Sequence, residues 1–407
     1  MAQYPSYKNS GFDWIGQIPS HWGLLKSKFL WRESFDTSAT GTEDLLSVSQ
    51  YDGVTPANGS RSESLVGYKV VEENNLVINI MLAWMGGLGV SAYNGLVSPA
   101  YCVYKLLGDN NPKYMHYLYK TPMYLAEFAR HSTGVIPSRW RMYTDDFGQV
   151  LTLIPPRKEQ DAMVEYLDTA TAKIDEAIAQ QQRMIDLLNE RKELLIENEV
   201  TKGIKNGTWK TRRLRHVCIF RNGYTPSKNV TAYWENGTIP WFRMEDIHLY
   251  GRKLSQSEQY ITPSAVKGDG LFKAGSFILA TSATVGEHAL LLVDALSNQR
   301  FTNLALFEEL SNELSTEYFF YFLYHIDREC RGFTNGSTFA SVSNQDLKNI
   351  LVGIPSPEEQ RRIVSMLDTE TFKIDNALEL VSQQIQFLQE RKQIIINDVV
   401  TGKVRIV

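Results

Sequence analysis

The sequence predicts an α+β protein: two globular α/β domains, related by a pseudo-two-fold axis, separated by two long antiparallel coiled-coil helices. Three observations predict it. A 48-residue segment, 154–201, returns at 354–401 with 21 identical positions. Each copy carries an unbroken heptad stripe. The block before each copy shares landmarks with the other block at nearly the same offset.

In the repeats, Glu159, Gln160, Leu167, Asp168, Thr169, Lys173, Ile174 and Asp175 recur 200 residues later. The first stripe runs through Val164, Leu167, Ile174, Ile178, Ile185, Leu188 and Leu195. The second runs through Val364, Leu367, Ile374, Leu378, Ile385, Leu388 and Ile395. Thr171/Thr371 and Lys192/Lys392 stand at intervening steps of the same register. Steps of three and four place these residues on one helix face. Pro155, Pro156, Pro355 and Pro357 precede the runs, and Gly203 and Gly402 follow them. Helices are predicted over about 157–200 and 357–400, each on the order of 65 Å long. Burying one Leu or Ile is worth roughly 1.5–3 kcal/mol, so the stripes are expected to cover each other. The block that follows helix one must sit at its far end, and helix two must then run back. The pair is therefore antiparallel.

The globular blocks are expected to share a frame. Val77-Ile78-Asn79 and Phe277-Ile278-Leu279 read as buried strands, and Gly86 corresponds to Gly286. Aromatic amphipathic helices are predicted over 112–130 and 315–330. Each precedes a Gly/Ser/Thr-rich loop, then a strand (150–154; 350–354) leading into a long helix. The rest differs, as expected where loops carry specificity. The order of parts is nearly circular, so the C-terminus is expected near the first block.

Composition sets the limits. The chain has 407 residues, 43% hydrophobic and 22% charged, with net charge −4. Only 202–353 is mildly basic, with 17 Lys+Arg against 14 Asp+Glu. No apolar run is long enough to span a membrane, and the first residues lack a signal-peptide pattern. Cys102, Cys218 and Cys330 form no CxxC pair, which suits a reducing compartment. No phosphate loop, HExxH or GxSxG motif occurs. Nor is there a glycine fingerprint for a methyl donor. The seven histidines show no ligand spacing, so no metal is expected. Glu190-Arg191-Lys192 has a nuclease-like E-x-K shape, but it lies inside the heptad helix and reads as solvated or interhelical charge. The loops offer Arg, Asn, Gln and Ser, which can read base edges, Lys and Arg for phosphates, and aromatic support.

Taken together, the chain resembles the specificity subunit of a type I restriction–modification enzyme. The resemblance rests on Ile354-Pro355-Ser356-Pro357-Glu358-Glu359-Gln360, on the Leu-Asp-Thr runs at 167–175 and 367–375, and on the opening Gly11-Phe12-Asp13-Trp14-Ile15-Gly16-Gln17-Ile18-Pro19-Ser20-His21-Trp22. The first copy departs at Arg157, where the second has Pro357. The resemblance implies a target recognition domain at 1–153, a spacer helix at 154–201, a second recognition domain at 202–353, and a second spacer helix with the C-terminal tail at 354–407. Each recognition domain would read one half of a bipartite, asymmetric site on double-stranded DNA. The helices would set the unread gap and dock two methylation subunits, which hold S-adenosylmethionine, and restriction subunits would join the full complex. The chain itself would be non-catalytic, cytoplasmic, and free of membrane, cofactor and metal.

Loop position and residue type nominate the DNA contacts. These are Ser49, Gln50, Asn58, Arg61, Ser138, Arg139 and Arg141 in the first block. In the second they are Arg221, Tyr224, Thr225, Ser227, Lys228, Arg243, Asn298, Arg300, Asn335 and Ser337. Two rival readings exist: a non-catalytic adaptor with two ligand-binding domains on a coiled-coil spacer, and an autonomous nuclease or methyltransferase. The repeated motifs disfavour the first and the missing catalytic motifs the second. A specificity subunit that no longer supports restriction stays open.

Overall fold

The computed structural model describes residues 2–50, 53–57, 64–136, 139–333 and 341–406. The chain forms two compact units, Met1–Gln182 with Gln383–Val407, and Arg183–Ser382. Each unit holds one globular block and one half of each long helix. The division therefore runs through the helices, because each block packs on the helix halves beside it.

The same antiparallel sheet frame recurs in both units. In the first, the strand order is Trp31–Ser34, Tyr101–Leu106, Leu76–Asn79, Leu88–Val90. In the second it is Cys218–Asn222, Phe301–Leu306, Phe277–Ala280, His288–Leu291, with Lys253–Leu254 added in parallel at the edge. The central strands Leu76–Asn79 and Phe277–Ala280 are buried on both faces, which explains their apolar character up to the closing Asn79 and Ala280. The predicted strands before the long helices form as Leu151–Ile154 and Leu351–Ile354. They pair antiparallel with Gly23–Lys26 and Lys210–Arg213 respectively. Each unit also has a separate second core, around Leu46, Val48, Val77, Val97 and Val103 in the first and around Trp241, Phe242, Ile261 and Phe272 in the second.

The long helices form as Arg157–Lys205 and Pro357–Val400. Within each unit their halves run antiparallel. In the first, Val164 and Leu167 share a core with Val399 and Val400, and Lys392 Nζ contacts Asp175 Oδ1 at 2.7 Å. In the second, Ile196 and Val200 pack with Ile363 and Leu367, and Lys192 Nζ contacts Asp375 Oδ1 at 2.6 Å. All fourteen stripe residues are buried or half-buried. Of the half-buried ones, Ile178, Ile185, Leu378 and Ile385 lie mid-helix, whereas Leu195, Val364 and Ile395 pack against the cores near the helix ends.

The repeated residues fasten the blocks to the helices. Gln160, fully buried, accepts the Asn111 N–H at 2.7 Å and donates to the Pro155 carbonyl at 2.9 Å. Gln360 does the same with the Ser315 N–H at 2.9 Å and the Pro355 carbonyl at 2.9 Å, and also donates to the Glu313 carbonyl at 2.6 Å. Asn111 and Ser315 stand immediately before the aromatic helices, so each glutamine holds the entry of one. The Tyr114 hydroxyl donates to Leu153 and Val400 carbonyls, and the Tyr318 hydroxyl to Gly353 and Val200 carbonyls. Tyr117 and Tyr321 donate to Asp168 and Asp368 at 2.7 and 2.6 Å. A buried polar group without a partner is costly, so these bonds fix where each block sits on its helix halves.

The other repeated acid serves each unit differently. Glu159 accepts from Tyr4 Oη and Trp22 Nε1 and contacts His21 Nε2, tying down the opening segment. Glu359 is bonded by Arg362 and Lys202, which hold its pKa down to about 2.

Two expectations are corrected. The first aromatic helix is broken into Pro112–Tyr119 and Pro122–Arg130. Pro122 has no N–H to continue the ladder, and Thr121 caps the new start. The second runs unbroken, Thr316–Phe333. The first long helix also continues past Gly203, which does not terminate it. A side chain at Gly203 would collide with the Trp209 ring, so glycine is needed there for packing. The chain turns instead at Gly207, with φ +72°. The C-terminus lies by the first block: Arg405 N–H donates to the Ala2 carbonyl at 2.8 Å, and Tyr7 Oη to the Gly402 carbonyl at 3.2 Å.

Replacing Gln360 by Met keeps the volume and removes its three bonds. The expected loss is about 2–4 kcal/mol of stability, because buried partners are stranded. Thermal unfolding of Gln360→Met beside the exposed control Gln386→Met, expected within about 0.5 kcal/mol of the parent, measures it.

Candidate nucleic-acid interface

In each unit several loops meet at one end of the sheet. In the second, Cys218–Asn222 and Phe277–Ala280 leave the sheet where Phe301–Leu306 enters it. The registers Asn222 to Thr302 and Ala280 to Phe301 set this. Loops starting at 223, 281 and 298 therefore share a rim. The segment after the aromatic helix joins them, as Val342 N–H donates to the Thr281 carbonyl at 2.9 Å. Only glycine fits at 223, because a Cβ would strike the Asn298 carbonyl. Ala283, with φ +67°, holds the 281–286 turn in a left-handed conformation that costs energy outside glycine.

Of the residues nominated in the second unit, this rim gathers Thr225, Ser227, Lys228, Asn298 and Arg300. Thr225 Oγ1 donates to Gln299 Oε1 at 2.5 Å, and Asn298 Oδ1 accepts the Arg300 N–H at 3.0 Å. Lys228 and Arg300 are exposed, and among the described residues neither forms an ion pair. Two others, Arg221 and Tyr224, are committed inside the protein, and Arg243 is half-buried. The Arg221 guanidinium donates to the Gly270 and Leu271 carbonyls at 2.8 and 3.1 Å and lies over the Phe272 ring. Tyr224 Oη donates to the Ala265 carbonyl at 3.2 Å and accepts the Lys267 N–H at 2.9 Å. Arg243 begins the helix Met244–Tyr250, its Nε buried and 4.0 Å from Glu245. Asn335 and Ser337 lie outside the described residues.

Beneath this rim sits a buried charge cluster. Asp327 Oδ2 accepts from Arg252 at 2.8 Å and from His288 Nδ1 at 2.5 Å, while Glu287 takes the other arm of Arg252 at 2.6 Å. Burial pulls the His288 pKa down. The cluster ties the far end of the 281–287 loop to the aromatic helix.

The first unit builds the equivalent rim from loop 80–87, turn 98–100 and segment 139–142. Met142 N–H donates to the Ile80 carbonyl at 3.0 Å, and Thr133 bridges Arg141 through two bonds of 2.9 Å. Lys120 Nζ donates to the carbonyls of Gln50 and Gly86 at 2.7 and 2.8 Å, bringing the turn after Leu46–Ser49 to the same place. Ser49, Gln50, Arg139 and Arg141 thus surround loop 80–87. Arg139 is exposed, and Arg141 is half-buried against its own backbone. Asn58, Arg61 and Ser138 lie outside the described residues. Sequence reasoning passed over Gln299, although it stands between two nominated residues, and it nominated nothing from loop 80–87, which carries no basic, amide or hydroxyl side chain.

Known proteins resemble this chain. Residues 206–389 match a family described as the type I restriction modification DNA specificity domain. The Type I restriction enzyme EcoprrI specificity subunit of Escherichia coli is 45% identical over 162 residues, 38% of this chain and 40% of that protein. The MjaIX specificity subunit of Methanocaldococcus jannaschii is 28% identical over 188 residues, 45% of this chain and 41% of that protein. The chain thus spans about two fifths of the length of these relatives. The EcoR124I/EcoR124II specificity subunit of Escherichia coli is 26% identical over 293 residues, 66% and 68% of the two chains. A solved chain described under "Structural basis underlying complex assembly and conformational transition of the type I R-M system" shares the fold, with TM-score 0.67 and 16% identity over 95% of this chain and 99% of that one.

The division between internal and outward arginines is measurable. Arg221→Ala strands two carbonyls and is expected to cost about 1–3 kcal/mol of stability. Arg300→Ala removes an exposed side chain and is expected to change it by under about 0.5 kcal/mol. Thermal unfolding of both variants checks the contrast.

Proposed function

We infer that this chain belongs to the type I restriction–modification specificity family and is the DNA-recognition subunit of such a complex. The observation that carries the reading is the duplicated frame, with the second copy inside the stretch that matches the specificity domain. Each unit presents its own set of loops on a common sheet rim, and the two sets share almost no side chains. That is the arrangement for reading two different half-sites on double-stranded DNA. The rims carry the exposed cations Arg139, Lys228 and Arg300 for phosphates, and amide and hydroxyl groups for base edges.

The long helices act as the spacer that sets the unread gap, and as the docking surface for two methylation subunits. Large apolar residues stay exposed on them at seven-residue spacing: Leu187 and Leu194, then Leu380, Phe387 and Ile394. Helices from other chains would cover such side chains, which the stripe pairing leaves wet. S-adenosylmethionine belongs to those methylation subunits, restriction subunits complete the assembly, and this chain performs no chemistry. No described helix is long and apolar enough to cross a membrane, and the complex works in the cytoplasm. With a net charge of −4, the isolated chain binds DNA modestly and loses that binding as salt rises.

Methylation-sensitive sequencing of cells with and without this gene tests the reading. Methylation at one split, asymmetric motif is expected to vanish on deletion. No change at any motif while the methylation subunits are expressed overturns it.

The spacer role has its own test. One extra helical turn inserted near Gln181, with its match in the second helix, is expected to lengthen the unread gap and keep both half-sites. An unchanged gap in the methylated motif refutes it.

A further inference from the structure

The loop between the two inner strands is the same device in both units, filled with opposite chemistry. In the first it reads Ile80-Met81-Leu82-Ala83-Trp84-Met85-Gly86, and in the second Ala280-Thr281-Ser282-Ala283-Thr284-Val285-Gly286. Both close on a left-handed glycine, φ +89° and +86°. In the second unit Ala283 and Thr284 are exposed and Thr281 and Ser282 half-buried, so three of the four outward residues carry hydroxyls. In the first, Met81, Leu82 and Met85 are 37%, 38% and 40% exposed, although Ala83 beside them is fully buried.

This apolar surface is built, not slack. Asn79 Oδ1 accepts the Met81 N–H at 3.1 Å, Trp84 Nε1 donates to the Met81 carbonyl at 3.2 Å, and Lys120 caps the Gly86 carbonyl at 2.8 Å. Trp84 also packs edge-to-face on Trp140, ring centroids 5.3 Å apart. Trp140 stands between Arg139 and Arg141, so the platform is bordered by cations. A rigid apolar patch costs free energy while wet and marks a contact surface. Its flanking arginines select a polyanion as the partner.

Resting on the function proposed above, we propose that Met81, Leu82 and Met85 read thymine C5-methyl groups in the major groove. The methyl is the one apolar group that a base edge presents there. The half-site of the first unit therefore contains A·T pairs recognised by methyl contact. The half-site of the second unit is read chiefly through hydrogen bonds from Thr225, Thr281, Asn298, Gln299 and Arg300.

The test uses the full chain with its methylation subunits and duplexes carrying its methylation target. Thymine is replaced by deoxyuracil in one half-site at a time, which removes only the methyl group. Binding is expected to weaken about fourfold per contacted methyl in one half-site, and less than about twofold in the other. The double variant Met81→Thr/Leu82→Ser is expected to lose that sensitivity and keep recognition of the other half. The substitution with wild-type protein stands without any variant, so a folding defect in the variant does not blunt the test. Three results overturn the proposal: neither half-site responds to deoxyuracil, as for side chains inserted between base steps; the responsive half-site keeps its sensitivity in the double variant; or neither half-site contains thymine. A complex that binds no DNA sequence preferentially overturns the functional reading itself, a separate outcome.

Discussion

A helix of more than forty residues with an apolar stripe along its whole length has to hide that stripe, and here each half of one helix hides it against a half of the other. The antiparallel pairing follows from connectivity, and the ion pairs Lys192–Asp375 and Lys392–Asp175 sit beside the covered seam as equivalent contacts in the two units. Everything else is hung from this pairing. Exposed ion pairs add little on their own, so the buried Ile, Leu and Val residues at the helix ends carry most of the stabilisation. There the globular blocks add a third layer over Leu167, Val200, Leu367 and Val400.

The repeated polar residues then make sense as fasteners. Gln160 and Gln360 each bridge the start of a long helix and the start of an aromatic helix. Tyr114 and Tyr318 reach the last strand of the block and the end of the opposite long helix. Apart from the bond from Gln160 to Asn110 Oδ1, these contacts go to backbone groups rather than to other side chains, so the blocks diverge freely without losing them. Asymmetry enters where side chains face each other. Lys113 pairs with Asp168 at 2.6 Å, whereas among the described residues Asp368 is bonded by Tyr321 and forms no ion pair. Rigid attachment with free rims lets a scaffold keep its geometry while its readers change.

The rims were only partly legible. Residue type and loop position led to Thr225, Lys228, Arg300 and Arg139, all of which lie at a rim. The same criteria led to Arg221 and Tyr224, whose partners Gly270, Leu271, Ala265 and Lys267 lie more than 40 residues away. Nothing local marks an arginine as internal when the carbonyls it serves are that distant in sequence. Conversely, Met81 and Leu82 look like core until the sheet places their turn at an open end. Composition alone hides an exposed apolar contact in this way, because roughly half of any folded surface is apolar.

The sequence by itself determined the duplication, the two long helices, their opposed directions and the shared strand–turn–strand landmarks of the blocks. Those properties are local or periodic, and a repeat of period and pattern is written directly in residue order. Only the tertiary structure decided that Pro122 splits one aromatic helix while its counterpart runs on, that Gly203 is a packing contact for Trp209, and which loops share a rim. Each of these depends on which distant backbone or ring occupies the neighbouring space, and strand register, not residue order, sets that.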